Sequence, residues 1–188
     1  MLPHFFADRK FFDLLLTYDR DLAEKAQGKK CLICQANLHQ AHFERKPRGG
    51  PATLDEEHSC RFSFCCYRCR KRLTPPSLRF LGRKVYLGAI IILVSAMLGG
   101  ASPKRRRILQ DLCGADQRTL ARWKEWWAET FPLTAFWKEF CAPFALAGTS
   151  KIPIPRLLLR KMRVASFPET LEKLLRFLLP LTKGMAPG

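Results

Sequence analysis

Apolar and polar positions alternate with two different periods along this chain, and each period predicts a different kind of element. From about Ala7 to Gln27 the apolar residues Phe11, Phe12, Leu14, Leu15, Leu16, Tyr18 and Leu22 recur at helical spacing. Asp8, Arg9, Asp19, Arg20 and Glu24 fall on the other face, and Gly28 stands where a helix would end. This stretch predicts an amphipathic packing helix. From residue 31 to about 83 the period shortens to two. Leu38–Phe43 predicts a short strand, Pro47, Gly49, Gly50 and Pro51 break the chain, and residues 52–59 read as a polar loop. Arg61–Cys65 predicts a half-buried strand, Thr74-Pro-Pro-Ser a turn, and Leu78–Gly82 a return to strand-like alternation.

After this the helical period returns. Val85–Leu98 is a continuous apolar run, too short for the roughly 18–20 residues a bilayer core requires, so it predicts a buried central helix. Ser102-Pro103 gives an N-cap followed by proline at the first helical position, opening a helix through Leu112. Cys113-Gly-Ala115 predicts a tight turn. Asp116 caps a further helix over Gln117 to about Glu129, and Phe131-Pro132 should stop it. Beyond it lie Leu133–Phe144, a proline-rich connector (Lys151-Ile-Pro-Ile-Pro-Arg156) and a last amphipathic helix around Pro168–Leu179, ended by Pro180 and Gly184. The fold class expected is mainly α with a small β zinc ribbon. Its segments are an N-terminal helix (1–28), the ribbon (29–83), a three-helix helix-turn-helix unit (84–131) and C-terminal helices (132–188).

The ribbon assignment rests on cysteines. Cys31-Leu-Ile-Cys34 and Cys66-Tyr-Arg-Cys69 are Cys-x2-Cys knuckles. A two-residue gap lets one tight turn aim both thiols at one ion, and two such turns supply the four thiolates of a closed structural zinc site. Cys60, Cys65, His39, His42 and His58 lie near enough in sequence to replace one of the four. The chain start, Met1-Leu-Pro-His-Phe-Phe-Ala-Asp8, carries no export signal. Metal rather than disulfide is therefore the expected use of these cysteines, and a cytoplasmic location follows.

Charge adds a partner. The chain carries a formal net charge of +17. No Asp or Glu occurs between His58 and Gln110, a stretch that includes Arg61, Arg68, Arg70, Lys71, Arg72, Arg79, Arg83, Lys84 and Lys104–Arg107. Such a field calls for an anionic partner. In a helix-turn-helix the second helix enters the major groove by its N-terminal residues, here Gln117, Arg118 and Thr119, with Arg122 one turn on. Gln suits adenine and Arg suits guanine, while Lys104, Arg105, Arg106 and Arg107 suit phosphates. Leu120, Trp123 and Trp127 would face inward.

The first knuckle, the run Leu38–Gly50 and the run Phe64–Tyr86 resemble a group of bacterial proteins that join a transposase-type zinc ribbon to a helix-turn-helix. These are similar to the DNA-binding front ends of insertion-sequence transposases. The resemblance spans about residues 20–130 and implies DNA binding associated with mobile elements, with a transposase or another protein as a further partner. Catalysis is not expected. After Phe131 the only acidic residues are Glu139, Glu169 and Glu172, which cannot build a two-metal carboxylate site in so short a stretch. No Walker loop or hydrolase motif is present, and Cys113 and Cys141 have no histidine near them in sequence. The expected function is that of a zinc-binding reader of duplex DNA, with no role at a membrane. Two alternatives are a zinc-ribbon RNA-binding protein and a protein-interaction module.

Overall fold

Asp8 opens the first helix, α1 (Arg9–Gln27), by accepting a hydrogen bond from the Lys10 amide. Phe11, Phe12, Leu15, Leu16 and Ala23 recur at helical spacing and are buried. The computed structural model describes Phe5 and residues 8–82, 84–140 and 152–182. Arg83, Cys141, Gly184, most of the chain start and the end of the Leu133–Phe144 stretch lie outside the described residues.

Asp19 corrects the expected polar face of α1, because it is buried at 1% exposure. Its carboxylate accepts from the Ser77 hydroxyl, from the Leu78 amide at 2.6 Å and from Arg79 Nε at 2.8 Å. Arg79, fully buried, donates onward to the carbonyls of Glu57, His58 and Cys60. This pair explains why residues 78–82 do not form the expected strand. Leu78, Arg79, Phe80 and Leu81 are all buried, so neither side of the segment meets water, and only a single bridge joins Phe80 to Leu87.

The middle segment contains β1 (Leu38–Gln40), β2 (Phe43–Glu44), a one-turn helix α2 (Glu56–Ser59), β3 (Cys60–Arg61), β4 (Phe64–Cys66) and β5 (Arg72–Leu73). β1, β4 and β5 make an antiparallel sheet in the order β1-β4-β5, with Leu38 opposite Cys66 and Phe64 opposite Leu73. β2 and β3 pair separately, Phe43 opposite Arg61. The expected strands at Leu38–Phe43 and Arg61–Cys65 are thus each split in two. The break after Arg61 holds Phe62 and Ser63, and the Ser63 carbonyl accepts from the Ala41 amide. The polar loop at 52–59 closes on α2, which is tied to α1 by Arg9–Asp55 and Arg20–Glu57, each at 2.6 Å.

The centre of the molecule is α3 (Gly88–Leu98), in which every residue is buried. The run Val85–Leu98 starts three residues late as a helix because Tyr86 and Leu87 are held as extended bridges to Arg48 and Phe80. Around α3 pack α4 (Pro103–Cys113), α5 (Gln117–Glu125), α8 (Ile154–Lys161) and α9 (Phe167–Phe177). Between them run a π-helical turn at Trp126–Thr130 and the short helices α6 (Phe131–Leu133) and α7 (Ala135–Phe140). The π turn carries the helix past Phe131-Pro132, correcting the expected stop. The Phe131 amide reaches back to the Trp126 carbonyl, and Pro132 takes an early helical position that needs no donor. The proline-rich connector likewise becomes α8, with Pro155 in its first turn.

One apolar core joins Phe12 and Leu15 of α1, Ile90–Val94 of α3, Leu109, Leu120, Trp123, Phe131, Leu158 of α8 and Leu174 of α9. It crosses the expected boundaries at 28, 83 and 131. A second, smaller cluster holds Ala23, Cys31, Leu38, Phe64 and Cys66. Among the described residues the fold is mainly helical with a small antiparallel sheet, and no helix is long and apolar enough to cross a membrane.

Gly99, just after α3, packs closely against Pro153, just before α8. A Cβ there would collide with Pro153 Cγ, part of a ring that cannot swing away. Gly99→Ala should destabilise the protein by roughly 1–3 kcal/mol through overpacking, read as a lower urea midpoint. An unchanged midpoint would remove Pro153 from that contact.

Candidate functional site

The two knuckles are built alike, hydrogen bond for hydrogen bond. In the first, the Gln35 amide donates to the Cys31 carbonyl and the Cys31 amide to the Ala36 carbonyl, both at 2.9 Å. In the second, the Arg70 amide donates to the Cys66 carbonyl at 3.1 Å and the Cys66 amide to the Lys71 carbonyl at 3.0 Å. The residue after the second cysteine of each, Gln35 (φ 57°) and Arg70 (φ 59°), sits in the left-handed region. That conformation costs a non-glycine residue on the order of 1–2 kcal/mol, and here it curls the chain back around the sulfurs. The β1–β4 pairing sets Leu38 opposite Cys66 and so brings the knuckles together.

The result is a cluster of four sulfurs. The Sγ atoms of Cys31, Cys34, Cys66 and Cys69 all lie within 4.8 Å of one another. Cys31 and Cys69 are 3.5 Å apart, and Cys34 and Cys66 3.4 Å. A tetrahedral ion with metal–sulfur bonds of about 2.3 Å has sulfur–sulfur edges of about 3.8 Å. The observed spread brackets that edge, so the four cysteines could hold one metal ion. Multi-iron clusters need a wider set of sulfurs than this.

Backbone amides supply electrostatic support. The Cys69 amide donates to Cys66 Sγ at 3.4 Å, and this bond holds the Cys66 thiol at about 6. The amides of Cys34 and Ile33 lower Cys31 in the same way. Cys69 moves oppositely, to about 12: the Lys71 amide lowers it, but burial and the neighbouring thiols outweigh that. Negative charge is favoured at Cys66 and Cys31 by the backbone amides and opposed at Cys69 by burial and the neighbouring thiols.

The other candidate ligands have different employment. His58 is buried beside two carboxylates, with Nδ1 2.7 Å from Asp55 Oδ1 and Nε2 3.1 Å from Asp13 Oδ1, the latter not aligned as a hydrogen bond. His42 packs edge-on to Phe62 and Phe64 and accepts from the Ser63 amide through Nδ1. His39 is edge-on to Tyr67. Cys65 stands opposite His39 on the sheet, and its thiol donates to the Arg70 carbonyl. Burial raises the Cys60 thiol. Among the described residues, the cysteine quartet is the only group of three or more potential ligands gathered in this way.

The second candidate region is the helix pair α4–α5. Ser102 caps α4 by accepting from the Arg105 amide at 3.3 Å. Gly114, at φ 63°, ends it in the left-handed conformation that glycine adopts without a Cβ penalty. Asp116 then caps α5, accepting from the Thr119 amide at 2.6 Å. The turn is pinned from inside: Tyr86 donates to the Gly114 carbonyl and packs edge-on to Trp123. Leu120, Trp123 and Trp127 face inward and are buried, as their spacing predicts.

Lys104, Arg105, Arg106, Arg107, Gln117, Arg118 and Arg122 are all exposed. Thr119 departs from the expected set. It is buried, and its hydroxyl accepts from Arg122, so it positions that arginine instead of facing outward. Between the helices runs a groove of about 770 Å³. Lys104, Arg106, Arg107 and Gln110 line it from α4, and Gln117 and Lys124 from α5, over Leu98 and Leu120, with no acidic side chain. Two bases of the middle stretch leave the surface field. Arg79 is fully buried against Asp19, and Arg61 is buried and bonded to the Pro75 carbonyl, its guanidinium pushed down to about 10 by burial.

Sequence reasoning found the quartet and the helix pair. It missed Gln35 and Arg70, whose common position one residue beyond each knuckle was the available signal. It also missed Asp19–Arg79, marked in sequence only by an arginine between Leu78 and Phe80. No family model matches the chain, and no curated protein or solved structure matches it.

Proposed function

We propose that Cys31, Cys34, Cys66 and Cys69 hold one structural zinc ion that organises a basic ribbon, and that α4–α5 acts as a helix-turn-helix reader of duplex DNA. The convergence of four Sγ atoms within 4.8 Å carries the metal assignment. Thiolates are ligands for zinc and for iron centres, and the close spacing favours a single ion. With all four positions taken by protein, no water is activated, so the centre builds structure.

The DNA assignment rests on charge and placement. Lys104–Arg107 are exposed at the start of α4, suited to phosphates, and α5 offers Gln117, Arg118 and Arg122 for base edges. The reading is one of binding. Cys113, one of two cysteines weighed as a nucleophile, is buried and its thiol is raised by that burial. The resemblance of residues 20–130 to transposase front ends implies association with a mobile element, and a regulatory role is the alternative for such a reader.

Replacing both arginines, Arg118→Ala with Arg122→Ala, is expected to weaken duplex binding at least about tenfold with the fold retained, since a good base contact contributes about 1–3 kcal/mol. A titration of zinc-loaded protein against duplexes selected from a random pool measures it. Unchanged affinity would discredit α5 as the reader. Preference for structured RNA would favour the RNA-binding alternative, and no nucleic-acid binding at low salt would favour the protein-interaction module.

A further inference from the structure

The knuckle tips carry side chains that neither metal binding nor duplex reading uses. Leu32 and Ile33, between the first pair of ligands, are 78% and 66% exposed, and Tyr67, between the second pair, is 53% exposed. These residues border the same sulfur cluster, so the convergence of the cysteines gathers them at one end of the β segment. His39 joins them, its ring edge-on to Tyr67 with centroids 6.0 Å apart. Packing does not account for them, since the small core beneath is made by Ala23, Cys31, Leu38, Phe64 and Cys66.

Charge identifies the occupant. Arg68, Arg70 and Lys71 are exposed within and just beyond the second knuckle, and Lys29 and Lys30 are exposed just before the first. A protein partner matched by apolar contact alone would leave these cations unanswered. A duplex would answer the cations but hide its base faces from Leu32, Ile33 and Tyr67. An unpaired DNA strand offers both, with phosphates for the cations and base faces for the aromatic and aliphatic tips.

The geometry points to the knuckle end as a binding surface for single-stranded DNA, separate from α4–α5. Tyr67 is the stacking platform, Leu32 and Ile33 are its apolar flank, and Arg68, Arg70 and Lys71 follow the backbone. The surface builds on the ribbon proposed above but does not need α5 to read duplex DNA.

The test is fluorescence anisotropy of the full, zinc-loaded chain with a labelled twenty-nucleotide oligothymidine and, at the same salt, a labelled mixed-sequence duplex. Tyr67→Ala combined with Ile33→Ser should weaken oligothymidine binding about tenfold or more. Tyr67→Phe should bind as the parent does, and Arg118→Ala with Arg122→Ala should leave the single strand's affinity unchanged. Zinc content equal to the parent's shows that the tip variants remain folded. Failure of the parent to bind the single strand at low salt, or equal binding by parent and tip variant, would overturn the assignment. So would a tip variant that loses only duplex affinity, which would make the tips a wedge into duplex DNA. A parent that ignores duplex yet binds the single strand through Tyr67 would refute the α5 reader and leave the tip assignment standing.

Discussion

Cys31→Ser or Cys69→Ser is expected to release the zinc and unfold the β segment while the helical core survives. The physical reason is the size of the two cores. The cluster beneath the knuckles is small, with Ala23, Cys31, Leu38, Phe64 and Cys66 at its centre, and two of those five belong to the sulfur quartet. A core so small needs a metal to persist. Structural zinc supplies apparent binding free energies on the order of 10–16 kcal/mol in small modules. The main core around α3 contains neither knuckle and should hold. Metal analysis should therefore show zinc lost from either variant, far-ultraviolet circular dichroism should keep most of its helical signal, and limited proteolysis should cut within residues 31–73. Unchanged metal content would refute the ligand set. Collapse of all helical signal would refute the independence of the two cores.

Asp19→Ala should be the most damaging single change away from the cysteines. It removes the acceptor of three hydrogen bonds and leaves the fully buried Arg79 without its counter-charge. Stranding one member of a buried pair costs about 3–5 kcal/mol, a large share of a typical domain's stability. Arg79→Met should also destabilise, because it leaves the buried Asp19 carboxylate without its counter-charge, and the double variant should cost less than the sum of the two single changes, because the charges are removed together. Urea unfolding of the three proteins measures this. A loss below about 1 kcal/mol for Asp19→Ala would mean that the pair is not held dry in solution.

The same pair shows where sequence becomes opaque. The helical faces of α1 and α5 were legible because their apolar spacing matches the helical period, α3 was legible because its apolar run is unbroken, and the caps at Ser102 and Asp116 are local signals. The quartet was legible because ligand spacing is local as well. Asp19 and Arg79 are 60 residues apart, and each alone looks like an ordinary surface charge. Alternation at Leu78–Gly82 suggested a strand with one wet face, whereas tertiary packing covers both. Phe131-Pro132 reads in sequence as a helix stop and Pro155 as part of a connector, yet both prolines sit in first turns where proline lacks nothing that the helix needs. Thr119 was assigned to the outer face by its place near the start of α5, and only the packing of that helix on α3 shows that it points inward.

The metal centre is tested most directly by zinc stoichiometry together with X-ray absorption at the zinc edge, on the full chain purified under reducing conditions. Four thiolates around one ion predict one zinc per chain in a shell of four sulfurs at about 2.3 Å, with no nitrogen or oxygen contribution. A chain with intact, reduced cysteines that binds no zinc, or a shell containing nitrogen or oxygen, would contradict the assignment of Cys31, Cys34, Cys66 and Cys69.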